Sequence, residues 1–120
     1  MPNTGFGDVV HDLDADTIDD VVTKTSAGAY ALTRKGIKDG FVVYYVGRSD
    51  TDLKARLKQH AADGIYSYFK AGYCASPKAA FEKECQLYHD FGGSEALDNT
   101  VHPARPNGSN WTCPRCYAFG

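Results

Sequence analysis

The run "ALTRKGIKDGFVVYYV" constrains the fold of this chain more than any other stretch. Residues 29–33 and 41–46 have the apolar and aromatic content of strands, and "RKGIKDG" between them carries Asp39-Gly40. An Asp-Gly step readily takes the backbone angles of a tight hairpin turn. The two runs are therefore expected to pair antiparallel. The second is expected to break at Gly47, ahead of a helix over 52–62 that Ser49 or Thr51 caps and Gly64 stops. Asp52 suits the positive end of that helix. "IYSYFKAGY", 65–73, alternates well enough for a third strand. Ser76 then caps a second helix with Pro77 at its first position, and Gly92-Gly93 end it. A short helix is expected over 16–22. From 94 onward Pro, Asn and Gly predict an irregular tail. The order strand, strand, helix, strand, helix gives an α+β domain, with a small three-stranded antiparallel sheet flanked by helices.

At 120 residues the chain is expected to be one domain that buries a real core. Its 42% hydrophobic content excludes the disordered class. No apolar stretch approaches the ~20 residues needed to span a bilayer. The start, "MPNTGFGDVV", lacks the basic and apolar regions of a signal peptide. These points predict a cytoplasmic protein with no membrane partner, whose four cysteines serve as thiols or metal ligands. The formal charge of −2 is unevenly placed. Residues 1–22 hold six Asp and no Lys or Arg, so thirteen basic residues face nine acids in 23–120, a net charge of +4. The organisation is thus an acidic N-terminal arm (1–22), a basic body (23–100) and a Cys-containing tail (101–120) packed on that body. Only the body needs to meet a polyanion.

Three features of the body carry chemistry. Asp52, Arg56 and His60 are spaced four apart and share one helix face, while Leu53 and Leu57 line the neighbouring apolar stripe. Arg offers a planar fork to phosphate, and His titrates near neutral pH. The plain alternative is a solvated face with an Asp52–Arg56 ion pair. On the second helix Glu84 falls inside the apolar stripe made by Ala80, Phe81, Leu87, Tyr88 and Phe91, whereas Glu82 projects elsewhere. A carboxylate on an apolar face needs a cation or an Arg or Lys partner. Tyr30 and Tyr45 lie on the two hairpin strands, where their phenols can meet; packing alone would also place tyrosines there.

Gly28-Ala29-Tyr30 and Tyr45-Val46-Gly47 resemble the two halves of the GIY-YIG nuclease signature. Arg48 follows the second half. Arg56 is similar to the family's arginine on the next helix, and His60 to the His or Tyr one turn later. Ala80, Glu84 and Leu87-Tyr88 match the pattern around the family's metal-binding glutamate, and Glu82 fits it less well. Asn99 best matches the family's asparagine, with Asn107 and Asn110 as competitors. The resemblance spans residues 27–100. Fourteen residues separate Tyr30 from Tyr45, somewhat more than usual, and the stretch from Arg48 to Arg56 is also slightly long.

The resemblance implies a three-stranded antiparallel sheet and a metal-dependent DNA endonuclease that uses one Mg²⁺ or Mn²⁺ ion. It implies that Glu84 ligates the metal and that Arg56 binds the phosphate and stabilises transition-state charge. One tyrosine, Tyr30 or Tyr45, positions or activates water, with Arg48 or the metal as the cation that perturbs its phenol. His60 assists the base or holds a phosphate oxygen. Asn99 positions the second helix or the substrate. A strand break at Gly47 would set Arg48 beside the tyrosines. RNA stays open as a substrate, and a protein partner is expected to supply specificity. The competing reading is a non-cleaving nucleic-acid- or partner-binding module on the same fold.

Cys113-Pro-Arg-Cys116 is half of a zinc-ribbon-like pattern, in which two thiolates can grip one tetrahedral Zn²⁺. Its remaining ligands would come from Cys74, Cys85, His89 and His102. Such a zinc would be structural, pinning the tail near Asn99. A third reading is accordingly a zinc-stabilised protein-interaction domain. The alternative for these cysteines is an unmetallated pair, with Cys85 in the core.

Overall fold

In a computed structural model of the protein, residues 4–6, 9–34, 42–99, 103, 111, 113 and 114 are described. Most of the "RKGIKDG" turn lies outside them, as do His102, Asn107, Asn110 and Cys116. The elements in order are β1 (His11–Asp12), α1 (Ala15–Val21), β2 (Gly28–Thr33), β3 (Tyr45–Ser49), α2 (Leu53–Asp63), β4 (Tyr68–Tyr73), α3 (Pro77–Asp90) and α4 (Gly93–Ala96). The domain is α+β, with an antiparallel sheet in the order β1-β4-β2-β3.

The expectations for the sheet, the second strand and the tail need correction. Among the described residues the sheet has four strands rather than three, because His11 and Asp12 pair with Phe69 and Tyr68 on the outside of β4. A two-residue strand is too short to leave an alternation in sequence. The strand at 41–46 does not break at Gly47. It forms from Tyr45 to Ser49, with Tyr30 opposite Gly47 and Ala29 opposite Arg48. The tail expected from 94 opens instead with the one-turn helix α4.

Caps explain where the helices start. The Asp14 carboxylate accepts from Thr17 N–H at 2.7 Å, Asp52 from Ala55 N–H at 3.1 Å, and the Ser76 hydroxyl from Ala79 N–H at 3.1 Å. Asp52, rather than Ser49 or Thr51, is the cap of α2; Ser49 Oγ accepts the Asp52 N–H at 2.9 Å one step earlier. Gly64 closes α2 in the left-handed region at φ 71°, which a residue without Cβ adopts at no steric cost.

The sheet is covered on both faces. Tyr30, Leu32 and Phe69 point to one side and pack with Ile18 of α1 and Leu53 and Leu57 of α2. Ala29, Ala31 and Val46 point to the other and meet Leu87 and Tyr88 of α3. Every residue of β2 is buried, which is why "GAYALT" carries no charge. Burial of each large side chain here contributes ~1.5–3 kcal/mol. The acidic arm takes part in this core: Leu13, Ile18 and Val22 are buried in it. Its Asp19 reaches Lys54 at 3.0 Å and Lys58 at 2.6 Å on α2. No helix among the described residues is long and apolar enough to cross a membrane.

Candidate active site

Alternation along β3 sorts the candidate residues into two groups, one on each face of this edge strand. Tyr45 and Gly47 face α2 with Tyr30, while Val46 and Arg48 face α3.

On the α2 face, β2 supplies Tyr30, β3 supplies Tyr45, and α2 supplies Arg56 and His60. Tyr30 is fully buried, and its hydroxyl lies 2.7 Å from His60 Nε2. A Cβ at position 47 would fall inside the radius of the Tyr30 hydroxyl and ring, so the second glycine of the motif makes room for the first tyrosine. The Tyr45 ring, half-buried, stands 5.3 Å from the His60 ring and 5.8 Å from Tyr66. Burial pushes the Tyr30 phenol well above its ordinary value, and the nearby Arg56 only partly opposes it. Burial also lowers the His60 pKa; the Arg56 charge adds to that, and Asp63 opposes it. His60 is therefore a neutral imidazole near pH 7. Burial works against the Arg56 charge too, but the phenol oxygens of Tyr30 and Tyr45 outweigh it and hold the guanidinium charged. Arg56, not Arg48, is thus the cation facing the tyrosines. It also donates to Gln59 Oε1 at 2.8 Å, while Asp52 is occupied as the helix cap.

On the α3 face, Glu84 lies in the buried stripe with Ala80, Phe81, Leu87 and Tyr88. Arg48 reaches its carboxylate: Nη1 donates to Glu84 Oε1 at 2.6 Å, and Nε donates to Asp50 Oδ1 at 2.9 Å. The guanidinium lies over the Phe81 ring, 5.1 Å from its centroid. Burial disfavours the Arg48 charge, but Asp50 and Glu84 more than restore it. The Glu84 charge pushes the Tyr30 phenol further up.

Asn99 bonds to the backbone of β3. Its side-chain oxygen accepts from Val46 N–H at 2.9 Å, and its amide donates to Val46 C=O at 2.8 Å. It completes the outer edge of β3 where a further strand would pair, and so holds Tyr45 and Gly47 in register. Four contributors left no local signal in the sequence. Asp50 braces Arg48. Tyr66 donates to Asp98 Oδ2 at 2.7 Å, and Arg34 meets the same oxygen at 2.6 Å. This keeps the Tyr66 ring beside Tyr45, and only the fold brings residues 34, 66 and 98 together.

Among the described residues no group of three or more His, Cys, Asp or Glu side chains is arranged to hold a metal. A single buried carboxylate nevertheless fits Mg²⁺ or Mn²⁺, which take oxygen donors and keep several waters. Glu82 lies apart from this region. It lines a cleft of about 760 Å³ between β4 and α3, with Phe6, Gly72, Cys74 and Lys83, and none of the seven candidate residues borders that cleft. In the tail, Cys113 is buried against Cys85 and Phe81, whereas Cys116 lies outside the described residues. Compared with protein-family models, with curated proteins and with solved structures, the chain matches none.

Proposed function

We propose that the chain is a divalent-metal-dependent endonuclease of the GIY-YIG type, hydrolysing phosphodiester bonds in DNA in the cytoplasm. One observation carries this reading. Tyr30, Tyr45, Arg56 and His60, drawn from three elements, meet on one face of β3, and Glu84 stands just across it with Arg48.

Each residue has a role its surroundings support. Arg56 stays charged beside two phenols and is the group to clamp the scissile phosphate. His60, kept neutral by burial, is the imidazole that serves as the base in this scheme. Tyr30 keeps its own proton and fixes the orientation of the imidazole through the 2.7 Å contact. Tyr45, half-buried against His60, is the phenol placed to orient a water. The Glu84 carboxylate would hold the cation, which when bound supplies Lewis-acid stabilisation of phosphate charge. Arg48 and Asp50 hold that carboxylate in place.

The Arg48–Glu84 ion pair also favours a second reading, a nucleic-acid-binding module that does not cut. A carboxylate already matched by a guanidinium has less affinity for a metal, and the charge of +4 over residues 23–120 predicts weak, salt-sensitive binding. The deciding experiment incubates supercoiled plasmid and branched DNA with the protein and Mg²⁺ or Mn²⁺, beside Glu84→Ala and Arg56→Ala. Metal-dependent cutting that both substitutions abolish supports the nuclease. Metal-independent binding without cutting, by a folded wild type, supports the module.

A further inference from the structure

On α3, Phe81 and Cys85 lie one turn apart and are fully buried. Against them the tail brings Trp111, whose ring centroid is 5.9 Å from that of Phe81, and Cys113, only 5% exposed. These four side chains form a small cluster of their own, separate from the two cores on the sheet. Inside it the Cys85 and Cys113 thiols meet within hydrogen-bonding reach, across 28 positions of chain. Neither sulfur is in a disulfide. The third described cysteine, Cys74, packs instead against the core on the α3 face of the sheet.

Packing alone accounts for Cys85 as a small apolar residue of the core. The pairing adds a chemistry that neither residue has by itself, because two thiols in contact can give up their protons and form a bond. We propose that Cys85 and Cys113 are a dithiol modification site, which low-molecular-weight disulfides of the oxidised-glutathione class convert reversibly to a Cys85–Cys113 disulfide. Cys113, the less enclosed of the two, gives up its proton and attacks one sulfur of the small disulfide. That S–S bond breaks, a mixed disulfide forms on Cys113, and one small thiolate leaves and takes up the proton. Cys85 then loses its proton and attacks the Cys113 sulfur, and the second small thiol leaves with that proton. The protein is oxidised by two electrons, and the small disulfide is reduced to two thiols. The fold favours closure, since Cys85 is already beside the Cys113 sulfur at an effective concentration that no thiol in solution matches. Burial holds the Cys85 thiol protonated, and the contact with Cys113 adds to this, so the closing step is slow.

The location gives the modification something to act on. Cys85 follows Glu84 directly in α3, and Phe81, in the same cluster, lies under the Arg48 guanidinium at 5.1 Å. A Cys85–Cys113 bond ties the tail to that turn of the helix, and reduction unties it. Reversibility agrees with a cytoplasmic setting, where disulfides are mostly transient and redox-sensing. The inference does not rest on the nuclease reading.

The test incubates the full chain in glutathione buffers taken from fully reduced to fully oxidised. Remaining thiols are blocked by alkylation of the unfolded chain, and the peptides are mapped by mass spectrometry without reduction. One intramolecular Cys85–Cys113 linkage is expected, with neither Cys74 nor Cys116 joined to another cysteine of the chain. Because the bond closes a loop of 28 positions in the unfolded state, thermal unfolding should shift up by roughly 10–15 °C, and dithiothreitol should reverse the shift. Cys113→Ser should abolish both linkage and shift, and Cys74→Ser should preserve both. Cys85→Ala, with folding checked by circular dichroism, should stop at the mixed disulfide on Cys113. The inference is overturned if Cys85 and Cys113 of the folded wild type both stay alkylatable in the fully oxidised buffer, or if the wild type itself stops at the mixed disulfide. A Cys113–Cys116 bond in place of Cys85–Cys113, or loss of the thermal shift in Cys74→Ser, overturns it as well.

Discussion

Replacing Arg48 with methionine should be the costliest single change at the site. Its guanidinium lies 2.6 Å from Glu84 Oε1, and the two side chains are only 13% and 12% exposed. Charges centred ~4 Å apart attract by about 4 kcal/mol at the effective dielectric of such a site. Desolvation offsets much of that in the intact pair, but removing one partner leaves the other charge enclosed, at ~3–5 kcal/mol. Methionine keeps an apolar stem against Phe81, so the measured loss is that of charge rather than of packing. The reverse change, Glu84→Gln, is milder. Arg48 keeps Asp50 at 2.9 Å, and Gln retains an acceptor oxygen, so the expected cost is ~1–2 kcal/mol. Urea unfolding near neutral pH with EDTA should separate the variants by about 2 kcal/mol, or roughly 8 °C in Tm. Mg²⁺ or Mn²⁺ should then stabilise Arg48→Met more than the wild type, because the carboxylate is no longer shared, and should not stabilise Glu84→Gln. A Glu84→Gln cost as large as that of Arg48→Met would refute the burial argument. Equal metal stabilisation of Glu84→Gln would remove Glu84 as the cation's ligand.

Gly47→Ala forces a methyl group onto the Tyr30 ring, and overpacking of this kind costs ~1–3 kcal/mol. Calorimetry should show it, and DNA cleavage should fall further than stability does as the Tyr30–His60 contact opens. His60 gives stability a pH dependence of known sign. Its folded-state pKa is below its ordinary 6.5, so the unfolded chain binds more protons as pH falls. The protein should hold full stability above that value and lose it as pH drops below 6.5 through the lower folded-state pKa. In His60→Gln, urea midpoints at neutral pH and about pH 5 should lie closer together than in the wild type; an unchanged difference assigns the effect to other groups. Asn99→Ala removes two hydrogen bonds to Val46, worth ~1–3 kcal/mol together. Hydrogen exchange at the Val46 amide should accelerate, and no change there would mean that the edge of β3 holds without its clasp.

Local rules were enough for the elements whose cause is local. Ser76 and Pro77 start α3 where the sequence places them, Gly64 ends α2, and the apolar content of the hairpin runs yields β2 and the first two residues of β3. Glu84 stood out because a charge inside a helical apolar stripe is visible from spacing alone, and it is indeed buried. The spacing of Arg56 and His60 likewise showed that both lie on one side of α2. The tertiary structure decided what no spacing encodes. It made Arg48 the partner of Glu84 and Arg56 the cation at the tyrosines, because the alternation of β3 sends residues 45 and 48 to opposite faces of the sheet. It carried β3 through Gly47, since a missing side chain that looks like a break in sequence is a vacancy filled by Tyr30 in the fold. It turned Asn99 into an edge clasp and brought Cys113 to Cys85. Each of these pairings joins residues far apart in the chain, and their partner choice is set by the packing of whole elements, which a sequence displays only piece by piece.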